Sequence, residues 1–126
     1  MRILIVDDDE AILSMMKIVF ESDGYTVVAA ASAAEAIGLL SADSFEAVIT
    51  DMKMESENAG YDVVREARAL PNPPVIIILT AYPLLTKDWR DAGVDAVASK
   101  PSRMPQLLKT VAELLRQHRR RSTRLA

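Results

Sequence analysis

Four acids in a row, Asp7, Asp8, Asp9 and Glu10, follow directly on the apolar run Ile3–Val6. A lone aspartate, Asp51, closes "FEAVIT"; Thr80 closes "PVIIILT"; Lys100 follows "DAVAS". Each of these polar groups stands where an apolar run stops. If Asp7, Asp8 and Asp51 meet, their charges repel: a like pair about 4 Å apart costs about 4 kcal/mol at an effective dielectric near 20. Raised pKa values, a bound cation or a nearby lysine each relieve that cost. An all-oxygen donor set without His or Cys suits Mg²⁺, with Mn²⁺ as an alternative. Such an ion, a lysine and a hydroxyl around one aspartate make a phosphoryl-transfer site, with Asp51 as nucleophile. The acids are then crowded because the crowding holds the cation. Asp9 and Glu10 fit the first turn of a helix, where acids suit the dipole, and take no ligand role.

The elements that must position these groups follow from the periodicity. "RILIV" (2–6), "YTVVAA" (25–30), "FEAVIT" (45–50), "PVIIILT" (74–80) and "DAVAS" (95–99) predict five strands. Between and after them lie helical stretches: 10–22, stopped by Asp23-Gly24; 33–42, opened by the Ser32/Glu35 capping box; and 60–70, closed by Pro71 and Pro73-Pro74. Two more follow, 84–93, ended by Gly93, and 105–118, with Pro105 in its first turn. Strict βα alternation with short connections predicts an α/β fold: a doubly wound, five-stranded parallel sheet, (βα)5 and flavodoxin-like, with helices on both faces. The first and fourth strands should lie near the middle. Ligands of such sheets bind beyond the carboxyl ends of the strands at the switch in strand order, and all five polar groups sit at those ends.

With 126 residues and half of them apolar, the chain is one globular domain, and no apolar stretch approaches the roughly 20 residues of a membrane span. It has no cysteine, hence no disulfide and no thiolate metal site, and no signal-peptide pattern; a cytoplasmic protein is the expectation. The net charge of −3 hides an asymmetry: "RQHRRRSTR" (116–124) carries five arginines, without which 10 basic residues face 18 acidic ones. Lacking aromatics, this run is read as a solvated, frayed tail, not a nucleic-acid surface. The domain is expected over 1–118 and the basic tail over 119–126. His118 and Trp89 are read as a surface residue and a packing residue.

"ILIVDDDEAIL", "AVITDM", "IIILTAY" and "VASKP", in this order and at these intervals, resemble the receiver domains of bacterial two-component response regulators, over about residues 2 to 117. The resemblance implies that Asp51 is the phosphoacceptor. It implies that Asp8, Asp51 and the main-chain carbonyl of Lys53 bind Mg²⁺ directly, with Asp7 acting through bound water. Thr80 would hydrogen-bond the phosphoryl group and Lys100 would pair with one of its oxygens. The implied phosphodonor is a phosphohistidine on a sensor histidine kinase or phosphotransfer protein, and the receiver itself catalyses the transfer. The implied contact surface, α4-β5-α5, would serve a downstream target, an output domain or a homodimer.

The sequence departs from the family in three places. Val97 stands three before Lys100, where Tyr or Phe is usual; a β-branched aliphatic cannot make the aromatic's exposed-to-buried swing, and Tyr82 is a weak substitute. In "DMKMESENAGYD" the usual Pro is Glu55, and Gly60 comes nine residues after Asp51, one later than usual; with Glu55 and Glu57 added, a mobile or reshaped loop is expected. Lys53 and Tyr82, at positions that govern the attacking water, imply slow autodephosphorylation. Among alternatives, an Asp-nucleophile phosphohydrolase would need a carboxylate where Lys53 stands. A flavin carrier would need a phosphate cradle where the four acids stand. A degenerate receiver used for phosphorylation-independent contacts is kept in play by Val97.

Overall fold

The computed structural model describes residues 1–81, 88–100 and 103–125. Five strands, β1 (Arg2–Val6), β2 (Thr26–Ala30), β3 (Ala47–Asp51), β4 (Val75–Thr80) and β5 (Ala96–Ser99), alternate with five helices. The helices are α1 (Glu10–Ser22), α2 (Ala33–Ala42), α3 (Ala59–Arg68), α4 (Asp88–Asp91) and α5 (Met104–Leu125). All strand pairs are parallel, in the order β2-β1-β3-β4-β5. β3 is central, flanked by β1 and β4, so both strands expected near the middle are interior. β4 is buried at every position, as its unbroken apolar run requires.

Because side chains alternate across a strand, each strand feeds two cores. Ile5, Ile49 and Ile77 are in register and pack with Met16 and Phe20 of α1 and Leu107, Val111 and Leu115 of α5. On the other face Leu4, Val48 and Ile76, also in register, pack with Ala36 and Leu40 of α2 and Val63, Val64 and Ala67 of α3. Burying each large aliphatic stabilises by about 1.5–3 kcal/mol, and this double core is what holds the strand ends in place. α1 stops where expected: Gly24, at φ +95, adopts a left-handed turn and donates to the Glu21 carbonyl.

Two local expectations change. α5 does not end at His118 but runs to Leu125, so residues 119–125 are helical, not a frayed tail. Arginine is a good helix former, and once a helix is nucleated each further residue adds a bond; basic charge at its C-terminus also suits the dipole. His118 is half-buried, with Nε2 2.9 Å from the Pro73 carbonyl oxygen, so it ties α5 to the turn before β4. α4 is described only from Asp88; the stretch 84–87 of the expected helix, and Tyr82, lie outside the described residues.

Candidate functional site

β1 and β3 are neighbours, yet the chain goes from β1 out to β2 before returning to β3, so the switch in strand order falls between them. Asp7 lies one residue past β1 and Asp51 is the last residue of β3, which puts both carboxylates at that switch. Asp7 N–H donates to the Ala30 carbonyl at 3.1 Å, extending the β1–β2 ladder by one residue and burying Asp7 to 1% exposure. Asp7 Oδ1 accepts from Asp9 N–H at 2.9 Å, and Asp9 Oδ1 accepts from Ala11 N–H at 2.9 Å and Ile12 N–H at 3.2 Å. Asp9 is therefore the N-cap of α1, just outside its first turn, and Glu10 is the first helical residue. Asp8, between two structurally committed aspartates, is exposed.

Lys100 enters from β5. Its N–H donates to the Thr80 carbonyl at 2.7 Å, which locks the ends of β4 and β5 together. Its Nζ then reaches Asp7 Oδ2 at 2.5 Å and Asp51 Oδ2 at 3.0 Å. Asp51 Oδ1 accepts from Met52 N–H at 2.8 Å. Thr80 is buried at the same rim, opposite Ser99 in the ladder. Carboxylate oxygens of Asp7, Asp8 and Asp51 lie within 4.8 Å of one another. The lysine and the three aspartates thus come together as expected, with Thr80 beside them; Lys53 is exposed in the loop after β3.

One ammonium, paired with Asp7 and Asp51, in a cluster that also holds Asp8 leaves an excess of negative charge. Burial pushes the Asp51 carboxyl above its ordinary value; the charge of Asp7 adds to this, while the bonds from Lys100 and Met52 oppose it without cancelling it. For Lys100 burial works downward, but its bonds to Asp7 and Asp51 outweigh it and the net shift is upward. Both members of the Asp51–Lys100 pair thus move up, Asp51 chiefly because it is buried and Lys100 because its two anions outweigh its burial. An oxygen-ligated divalent ion fits that donor set and that charge deficit.

In the loop after β3, where a mobile or reshaped segment is expected, Glu55 is not a loose acid. Glu55 Oε1 accepts from Ala33 N–H at 2.9 Å and Oε2 from Ala34 N–H at 3.0 Å, capping α2 from a distant part of the chain. These bonds, that to Ala33 first, hold the Glu55 carboxyl below its ordinary value. Gly60 N–H donates to the Met52 carbonyl at 2.8 Å. A Cβ at Gly60 would fall 2.5 Å from the Asp51 carbonyl oxygen, so only glycine lets α3 start this close to β3. Nothing local in the sequence announces the Glu55 contact, because it depends on α2 and the β3–α3 loop being neighbours. Val97 is half-buried against the α2/α3-side core, so no aromatic is present there to swing.

Fold and site together define a doubly wound α/β protein with an acid-and-lysine centre at the strand-order switch. The chain belongs to the response regulator receiver domain family, whose model matches residues 3–112. A CheY-like receiver domain protein from Methanospirillum hungatei is 31% identical, with a TM-score of 0.87 over 95% of this chain and 97% of that one. The receiver domain of a Pseudomonas aeruginosa sensor histidine kinase, solved with a magnesium ion coordinated in its active site cleft, is 25% identical, with a TM-score of 0.80 over 90% and 96%. A Thermotoga maritima response regulator in complex with Mg²⁺ and BeF is 27% identical, with a TM-score of 0.75 over 90% and 97%. No curated protein matches the chain. Among the described residues no helix is long and apolar enough to cross a membrane.

Proposed function

We propose that this receiver takes a phosphoryl group onto Asp51 from a phosphohistidine of a sensor histidine kinase or phosphotransfer protein, and that the modification alters its protein contacts. The observation that carries this is Lys100 bridging Asp7 and Asp51 at the switch point. An Asp51 carboxylate oxygen attacks phosphorus, the P–N bond to the donor imidazole breaks, and the electron pair leaves with that nitrogen, which takes up a proton. Burial makes the Asp51 carboxylate more basic than an exposed one, hence a better nucleophile. Lys100, within reach of Asp51, then pairs with a phosphoryl oxygen, and the Thr80 hydroxyl donates to another. Asp8, Asp51 and the Lys53 carbonyl, with Asp7 through water, would hold Mg²⁺ (or Mn²⁺), which neutralises the charge on the transferred group. Beside Lys100 an open hollow of about 460 Å³, lined by Ile12, Met15, Met16, Leu79, Ala81 and Met104, supports the approach of a donor protein.

On this reading the domain spans 1–118, is cytoplasmic, and signals through a protein target, an output domain or a homodimer built on α4-β5-α5. The chemistry is transfer onto its own Asp51 and slow hydrolysis of that phosphoryl group by water, not turnover of a free substrate. Val97 favours a second reading, a receiver whose contacts do not respond to phosphorylation. Incubation with acetyl phosphate, with and without Mg²⁺, followed by intact mass measurement tests the chemistry, and chromatographic size before and after separates contacts that respond from contacts that do not. The expected result is one added phosphoryl group that requires both Mg²⁺ and Asp51, is absent in Asp51→Asn, and does not decay within seconds. No mass gain with Mg²⁺ present overturns the proposal; a gain with a half-life of seconds overturns only the slow hydrolysis.

A further inference from the structure

The phosphoacceptor loop is pinned at its start and near its middle. At the start Met52 is held twice, its N–H by Asp51 Oδ1 and its carbonyl by Gly60 N–H at 2.8 Å. Near the middle the Glu55 carboxylate spans the first two amides of α2, at 2.9 and 3.0 Å. Between these points only Lys53 and Met54 remain, and Met54 is half-buried against the α2/α3-side core. The third amide of α2, Glu35 N–H, is taken by Ser32 Oγ at 3.1 Å. The end of α2 is thus shared: Ser32 caps it from within the helix sequence, and Glu55 caps it from the loop that carries Asp51's neighbours.

We propose that Glu55 is a positioning residue for the cation site: by clamping the loop onto the amino end of α2, it holds the Lys53 carbonyl and the Met52 amide in place before Mg²⁺ arrives. This rests on the Mg²⁺ reading given under Proposed function. Pre-ordering matters because a loop free in the metal-free protein must surrender its backbone freedom on binding, and that loss is subtracted from affinity. The cap on α2 is the other half of the same contact. A carboxylate that only capped the helix would influence stability and leave the ion's affinity alone; one that also positions the loop must change both.

The test is Mg²⁺ binding by titration calorimetry on purified, unphosphorylated protein, with three variants. Glu55→Ala removes the clamp and is expected to weaken Mg²⁺ about tenfold, the equivalent of ordering one freed residue. Glu55→Gln keeps a carbonyl oxygen for one of the two amides and is expected to fall between Glu55→Ala and the native protein. Ser32→Ala removes the other cap of the same helix without touching the loop. It is expected to lower Tm while leaving Mg²⁺ affinity unchanged. Faster amide hydrogen exchange at Ala33 and Ala34 in Glu55→Ala confirms that the clamp is gone. Unchanged Mg²⁺ affinity in Glu55→Ala, or an equal loss in Ser32→Ala, overturns the proposal. If the native protein itself takes up no Mg²⁺, the reading of the metal site falls and this inference falls with it, a result distinct from either of those.

Discussion

At the amino ends of the strands Arg2 pairs with Asp43, their side chains 40% and 47% exposed; at the carboxyl ends Lys100 pairs with Asp7 and Asp51, at 14%, 2% and 11%. The first pair balances one charge with one charge in water. Arg2 also lies over the Phe45 ring, 5.4 Å from its centroid, and its backbone N–H donates to Glu46 Oε2 at 2.6 Å. The second cluster places one cation among three acids, two of them almost out of water. Exposed pairs of the first kind contribute about 0–1 kcal/mol because solvent screens them. Buried charges of the second kind are retained at a cost to stability, which under the proposed function serves phosphoryl transfer. The same sheet therefore presents a structural end and a chemical end, and burial with charge imbalance, not the number of ion pairs, distinguishes them.

That contrast is broken most severely at Lys100. Lys100→Ala leaves the Asp7 and Asp51 carboxylates buried without a counter-charge, and the metal-free protein is expected to lose about 3–5 kcal/mol, read by urea unfolding. Mg²⁺ should then restore more stability to this variant than to the native protein, because the ion becomes the sole neutralising charge; equal stabilisation of both would contradict the account of the cluster. Asp51→Asn sharpens the comparison from the other side. It removes one of the crowded charges while keeping shape, so phosphorylation is lost, yet the metal-free Tm is expected to stay level or rise; a marked fall would mean that Asp51 serves the fold. At the far end Asp43→Asn should shift stability by no more than about 1 kcal/mol, measured the same way. A loss as large as that of Lys100→Ala would erase the distinction between the two ends.

Residues whose partners are near in sequence were legible in advance. The run 2–6, the helix 10–22 with its Asp23-Gly24 stop, and the helix 33–42 behind Ser32 appear in the structure with the bounds their periodicity and caps predict. Asp7, Asp8, Asp51, Thr80 and Lys100 could each be placed at a strand end because an apolar run stops at each. The contacts of Glu55 and His118 were not legible, since Glu55 reaches back 22 residues to Ala33 and His118 reaches 45 residues to Pro73. Nor did the loss of an apolar stripe after His118 reveal that α5 continues, because helix propagation does not need one.

The sequence by itself determined which segments are strands and helices and which polar groups terminate them, since periodicity, capping and chain reversal act over a few neighbouring residues. The tertiary structure alone decided that β3 lies between β1 and β4, that Lys100 crosses 49 residues to reach Asp51, and that Glu55 closes the end of α2. Those outcomes depend on which strands lie side by side. That is settled by how two apolar faces are covered at once, a property of the whole sheet and of no single stretch within it.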